Sequence, residues 1–152
     1  MVGPRGIPTA LSFSGCGFLG LYHVGMIICF QTHGSSILSN ITKFGGASAG
    51  SLAATVLAIC PDKVPQCKKI ALELASTVRE QKFGAFKSGF RLSSHVEKMA
   101  DSVLPENAHE KANGRVYLSI TGKNSKKNYV ISKYKSRADL IQVIYVIYHY
   151  RA

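Results

Sequence analysis

Ser48 stands in the run Gly46-Ala47-Ser48-Ala49-Gly50, which has Gly-X-Ser-X-Gly spacing. In a nucleophile elbow the serine backbone is forced into a strained turn, so the residues two before and two after must be nearly free of side chain. The hydroxyl is then held out at the start of a helix, where the dipole and free N–H groups favour developing negative charge. The chemistry such a serine suits is attack on an ester carbonyl to form an acyl-enzyme. About thirty residues upstream lies Gly15-Cys16-Gly17-Phe18-Leu19-Gly20, with Gly-X-Gly-X-X-Gly spacing. Three readings compete for it. A dinucleotide fingerprint requires an acidic residue about twenty positions on, and Ser35 to Asn40 contains none. A phosphate-binding P-loop requires a Gly-Lys-Ser/Thr ending, which is absent. The third reading is an oxyanion loop, whose backbone N–H groups stabilise the tetrahedral intermediate formed at Ser48. It places both motifs in one site.

A base for Ser48 is harder to find. Ser48, Asp101 and His149 follow the Ser…Asp…His order of α/β-hydrolases, but that fold needs several strands before its elbow, and only about 45 residues precede Ser48. His149 otherwise reads as a tail residue between Tyr148 and Tyr150. His23 and His33 read as surface or packing residues, and His95 and His109 suit solvent. No two histidines have helical ligand spacing, so neither metal nor cofactor is expected. Cys16 is a possible second nucleophile in the glycine loop, although a cysteine there is more often a small packed residue.

The positioning elements follow from periodicity. Thr9 to Ser14 alternates like a strand, then the glycine loop leads into an apolar helix from about Leu21 to Phe30. Lys43 to Ala47 reads as a short strand entering the elbow, with a helix leaving it. Pro61-Asp62-Lys63-Val64 opens a helix through about Gln81, with Ile70, Leu74 and Val78 on one face. A further helix spans Leu92 to Val103, with Val96, Met99 and Val103 inward. Arg115 to Thr121 and Asn128 to Lys133 form a hairpin about Gly122-Lys123-Asn124-Ser125. Ser136 caps a last helix from Arg137 to about Tyr145, and the β-branched tail suits strand as well as helix. This order predicts an α/β layer with the elbow at the carboxyl edge of a strand.

Leu11 to Gly20 together with Phe44 to Leu52 resembles the patatin-like phospholipase family, within it the animal branch that includes adipose triglyceride lipase and adiponutrin. Phe83-Gly84-Ala85, Val103-Leu104-Pro105 with His109-Glu110, Gly114 to Thr121, and Ser136 to Gln142 extend the likeness. The resemblance implies a patatin-like parallel-sheet core flanked by helices and a serine acylhydrolase of neutral glycerides or phospholipids. Ser48 would be the nucleophile, Gly15 to Gly20 the oxyanion loop, and an aspartate the base in a dyad without histidine. In the family that aspartate lies in an Asp-Gly-Gly or Asp-Gly-Ala turn. The three aspartates here, Asp62, Asp101 and Asp139, are none of them followed by glycine. The expected organisation is therefore an N-terminal extension (1–8), a partial domain (9–142), incomplete at its C-terminal end, and a divergent tail (143–152). The expected activity is weak or absent. The rival expectation is a non-catalytic lipid-surface or regulatory protein that retains the fold.

Composition bounds these readings. A chain of 152 residues, 46% hydrophobic, supports one domain with a real core. Four cysteines without Cys-X-X-Cys spacing suit a reduced compartment. Met1 to Pro8 has no apolar stretch of a signal peptide, and no apolar run is long enough to span a bilayer. The expectation is a cytoplasmic protein, not secreted and peripheral on lipid droplets or membranes. The net charge of +11 is concentrated between Lys123 and Arg137, where six basic residues meet no acidic one. A solvated hairpin face and an anionic lipid headgroup surface both explain it. No nucleic-acid motif is present, and no nucleic-acid partner is expected.

Overall fold

The computed structural model describes residues 9–80, 92–122 and 124–149. The N-terminal extension, Phe83-Gly84-Ala85, Lys123 and the last three residues of the tail lie outside the described residues.

Strand β1 (Thr9–Phe13) leads through a 3-10 turn at Gly17–Leu19 into helix α1 (Gly20–His33) and the short α2 (Ser35–Leu38). Strand β2 (Ile41–Ala47) runs into α3 (Ala49–Ile59), then a second 3-10 turn (Pro61–Lys63) and α4 (Val64–Glu80). Helices α5 (Leu92–Val103) and α6 (Ala108–Ala112) precede the hairpin of β3 (Val116–Thr121) and β4 (Asn128–Ile131), and α7 (Arg137–His149) follows. The sheet order is β1-β2-β3-β4, with the first three strands parallel and β4 antiparallel. This α/β layer agrees with the expected fold class.

The sheet is buried on one face. Phe13, Phe44, Val116 and Leu118 point into the helices and are almost inaccessible. Each such side chain contributes about 1.5–3 kcal/mol by leaving water. They meet α3, which is buried along nearly its whole length, and Leu140 and Ile144 of α7. The sidedness follows from topology. Parallel crossovers are right-handed, so a strand order advancing in one direction stacks its connecting helices on one side.

Helix α7 extends to His149, so the β-branched residues after Tyr145 continue the helix instead of forming a strand. The cause is tertiary packing, which overrides a weak local preference: Leu140, Ile141 and Ile144 are buried against the core. Its start is fixed twice. Asp139 N–H donates to Ser136 Oγ at 3.1 Å, and Lys135 N–H donates to Asp139 Oδ2 at 2.8 Å, a reciprocal cap. The Arg137 guanidinium donates to Asp101 Oδ1 at 2.6 Å and to the carbonyls of Asp101 and Leu104. That fork closes the carboxyl end of α5 onto α7.

Candidate functional site

Strand β2 delivers Ser48 to the carboxyl edge of the sheet, and α3 begins at the next residue. Ser48 has φ 52° and ψ −127°, a conformation that costs an L-residue about 1–3 kcal/mol. The side chain is buried, and its hydroxyl caps no N–H of α3. It is therefore not spent on holding its own helix.

The two glycines of the motif are required by contact. A Cβ on Gly46 would lie 2.3 Å from the Gly50 carbonyl oxygen. One on Gly50 would lie 2.2 Å from the Phe13 carbonyl oxygen and 2.6 Å from that of Ser14. The end of β1 is thus pressed against the first turn of α3, which brings the glycine loop to the elbow. Gly20 continues the approach: a Cβ there would sit 3.5 Å from Ala49 Cβ. Ala47 is half-buried and Ala49 buried, small residues where the chain turns most tightly.

In the glycine loop, Gly15 is exposed, Cys16 is half-buried and Gly17 has φ +55°, a left-handed conformation that favours glycine. Leu19 N–H donates to the Cys16 carbonyl and Gly20 N–H to that of Gly17. The N–H groups of Cys16, Gly17 and Phe18 are not used by that turn. Burial pushes the Cys16 thiol up from its ordinary value, which disfavours the thiolate and with it a second nucleophile. Burial likewise pushes Cys60 up to about 12 and Cys67 to about 11, so both are packed thiols.

One contributor carried no signal in the sequence. His23 Nε2 lies 2.9 Å from the Ser14 carbonyl oxygen, and its ring meets Phe13 edge-on at 5.3 Å. A surface or packing role was expected for it; its contacts tie α1 to the residue that opens the glycine loop. A nine-residue separation across a loop has no periodicity to reveal it.

All three aspartates lie at the opposite edge of the sheet. Helix α3 carries the chain about 16 Å away from Ser48, and Asp62 follows its end, exposed beside Lys63. Asp139 and Arg137 open α7, which starts after β4 has returned to the amino-terminal edge. Asp101 is held there by Arg137. Helix α7 then runs back toward the carboxyl edge, so the backbone of His149 ends on the side of Ser48. A Ser48–Asp101–His149 relay is excluded by this separation, because Asp101 and His149 belong to opposite edges.

Beside the elbow a cavity of about 110 Å³ runs between α1, α3, α4 and α5. Gly17, Gly20 and Ala49 line its site end, and Val56, Val64 and Met99 its far end. Its wall is almost wholly apolar, apart from the Cys67 thiol. Among the described residues no three metal-ligating side chains gather, and no helix is long and apolar enough to cross a membrane.

The charge of the hairpin divides between the two edges. Gly122 N–H donates to the Lys127 carbonyl, and Lys126 and Lys127 lie at the carboxyl edge with Ser48. Lys133 and Lys135 lie at the other edge. Exposed Leu19 and Tyr22 project near the glycine loop, and Tyr129 near the hairpin tip.

The model of the family described as patatin-like phospholipase matches residues 11–146. The human patatin-like phospholipase domain-containing protein 4 is 40% identical over 134 residues, 88% of this chain and 53% of that protein. The mouse patatin-like phospholipase domain-containing protein 2 is 34% identical over 139 residues, covering 91% of this chain and 28% of its own length. The human 1-acylglycerol-3-phosphate O-acyltransferase PNPLA3 is 32% identical over 136 residues, 89% of this chain and 28% of that protein. The chain thus spans about half the length of the first and less than a third of the other two. No solved structure matches it.

Proposed function

Because this chain belongs to the patatin-like phospholipase family, we propose that it is the nucleophile-bearing part of a lipid acyl-ester hydrolase. The observation that carries this reading is the backbone of Ser48, held at φ 52° and ψ −127° between two glycines that admit no Cβ. Ser48 Oγ bonds to the ester carbonyl carbon, the alcohol departs with the serine proton, and water cleaves the acyl-enzyme to the fatty acid. The N–H groups of Cys16, Gly17 and Phe18 hold the oxyanion. The apolar cavity that begins at Gly17 and Ala49 takes the acyl chain. Glyceride or phospholipid esters are the substrate class. The working location is cytoplasmic, peripheral on a lipid droplet or membrane, with Leu19, Tyr22 and the hairpin tip toward the lipid.

The base is the part this chain lacks, since its aspartates lie across the sheet from Ser48. Oxyanion donors without a complete relay retain a fraction of the rate. The same observation favours a second reading, a lipid-surface protein that keeps the fold without turnover. A fluorophosphonate probe separates the two. Slow labelling that disappears in Ser48→Ala is expected of the hydrolase part. Labelling that persists in Ser48→Ala, or none after prolonged exposure of folded chain, overturns the nucleophile assignment.

A further inference from the structure

The cavity beside Ser48 has a definite depth. Three helices each line it at two paired positions: Gly20 and Ile27 on α1, Ala49 and Val56 on α3, Leu92 and Met99 on α5. The members of each pair are two helical turns apart, about 10 Å along the helix axis. Helices α1 and α3 both leave the carboxyl edge, one at the glycine loop and one at Ser48. Gly20 and Ala49 therefore stand at the top of the cavity, and Ile27 and Val56 at the bottom. Helix α4 returns from the end of α3 and brings Val64 and Cys67 to the same bottom.

The two ends differ in character. Gly17 is exposed, and Gly20 and Leu92 are half-buried, so the top is open. Ile27, Val56, Val64 and Met99 are all buried and close the bottom. Between the ends the space is kept by small side chains, Ala53 on α3 with Ala71 and Ala75 on α4. Burial that pushes the Cys67 thiol up to about 11 marks the bottom as dry, and a dry apolar cavity takes an apolar guest. The Ser48 turn lies directly before Ala49, at the open end. A chain attached there enters the cavity head last and meets a floor.

We propose that this blind slot limits the length of the acyl chain, with Val56, Val64 and Met99 as the residues that set the limit. An extended chain advances about 1.2 Å per bond, so a depth of about 10 Å takes about eight carbons below the ester carbonyl. A longer chain must buckle or leave its end outside, and its further methylenes gain no burial. Esters of medium-chain acids are then the preferred substrates. The slot selects by chain length and not by headgroup, since no charged side chain lines it. The proposal deepens the hydrolase reading and rests on it for the identity of the guest.

The test is calorimetric titration of the full 152-residue chain with primary n-alkanols from propanol to dodecanol. Affinity should rise about threefold to fourfold per methylene up to about octanol and then stay level. Met99→Ala lowers the floor and should move the break about two carbons further. Ala53→Leu, one turn below Ala49, fills the slot and should bring the break back to about five carbons. It adds apolar volume to an existing void, so it keeps the test decisive if Met99→Ala does not fold. Three results overturn the proposal: no binding by chain that unfolds cooperatively, affinity that keeps rising through dodecanol, or a break that Ala53→Leu leaves in place. The nucleophile is read apart from the slot, by fluorophosphonate labelling of the same chain. Absent labelling with the break in place strikes the hydrolase reading and leaves an alkyl-binding slot; labelling with no break strikes the slot alone.

Discussion

Replacing Ser48 with glycine should stabilise the protein while removing its candidate nucleophile. At φ 52° and ψ −127° the serine occupies a region that costs an L-residue about 1–3 kcal/mol and that glycine enters freely. Glycine also gains freedom in the unfolded chain, which returns about 0.4–1 kcal/mol in the opposite direction. The appropriate reference is Ser48→Ala, which loses the same hydroxyl but keeps the Cβ and therefore the strain. Ser48→Gly should exceed it by roughly 1.3 kcal/mol, the difference of the midpoints of those two ranges. At the size of this chain that corresponds to about 3–5 °C in Tm. Equilibrium urea unfolding followed by circular dichroism measures it, provided both variants share one m value. A Ser48→Gly midpoint at or below that of Ser48→Ala would show that the turn is relaxed, and the elbow argument would fall with it.

The flanking glycines should respond in opposite directions to a glycine elsewhere. Gly50→Ala forces a Cβ against the Phe13 and Ser14 carbonyl oxygens, backbone atoms that cannot swing aside, and should cost at least about 1–3 kcal/mol. Gly25→Ala, in the interior of α1 with nothing within 4 Å, should gain about 0.5–1 kcal/mol; equal urea midpoints for the two variants would refute the contact reading. The hairpin lysines should act by edge: Lys126→Gln with Lys127→Gln should weaken binding to phosphatidylserine vesicles about thirtyfold, from about 1 kcal/mol per charge. Lys133→Gln with Lys135→Gln, at the opposite edge, should change it far less, and equal losses in sedimentation assays would mean the carboxyl edge does not face the lipid.

What the sequence disclosed and what it withheld divide along a physical line. The elbow was legible because its constraint is local: Gly46 and Gly50 must lack side chains to fit one tight turn, and that requirement is written at fixed offsets from Ser48. Helix α5 ends at Val103 as expected, and Val96, Met99 and Val103, which repeat at helical spacing, are all buried. The path of the chain beyond Tyr145 was not legible, because it is decided by Ile141 and Ile144 meeting the core rather than by the preference of Val143, Ile144 and Tyr145 for extended backbone. The uncovered face was invisible for a different reason. Ser12, Gly45, Tyr117 and Ser119 alternate with apolar residues as they would in any half-buried strand, and only the strand order shows that no helix of the described residues covers them. Nor could composition show that Lys126 and Lys127 lie at one edge and Lys133 and Lys135 at the other, which follows from the reversal of β4.

The same division explains how a site can be geometrically formed and chemically incomplete. The close contacts about the Ser48 turn come from β1, β2 and α3: the Phe13 carbonyl against Gly50, the Gly50 carbonyl against Gly46, and the buried length of α3 beneath them. These elements are adjacent and parallel-paired, so the strain is supported by a unit of fewer than sixty residues and requires nothing from the aspartate edge. A base is another matter. Strands β1, β2 and β3 all finish at the carboxyl edge, yet their outgoing segments carry no acid there, and the three aspartates follow helices that end, or begin, at the far edge. An acid reaches Ser48 only from an element that ends or begins at the carboxyl edge, as the loops after β1, β2 and β3 do.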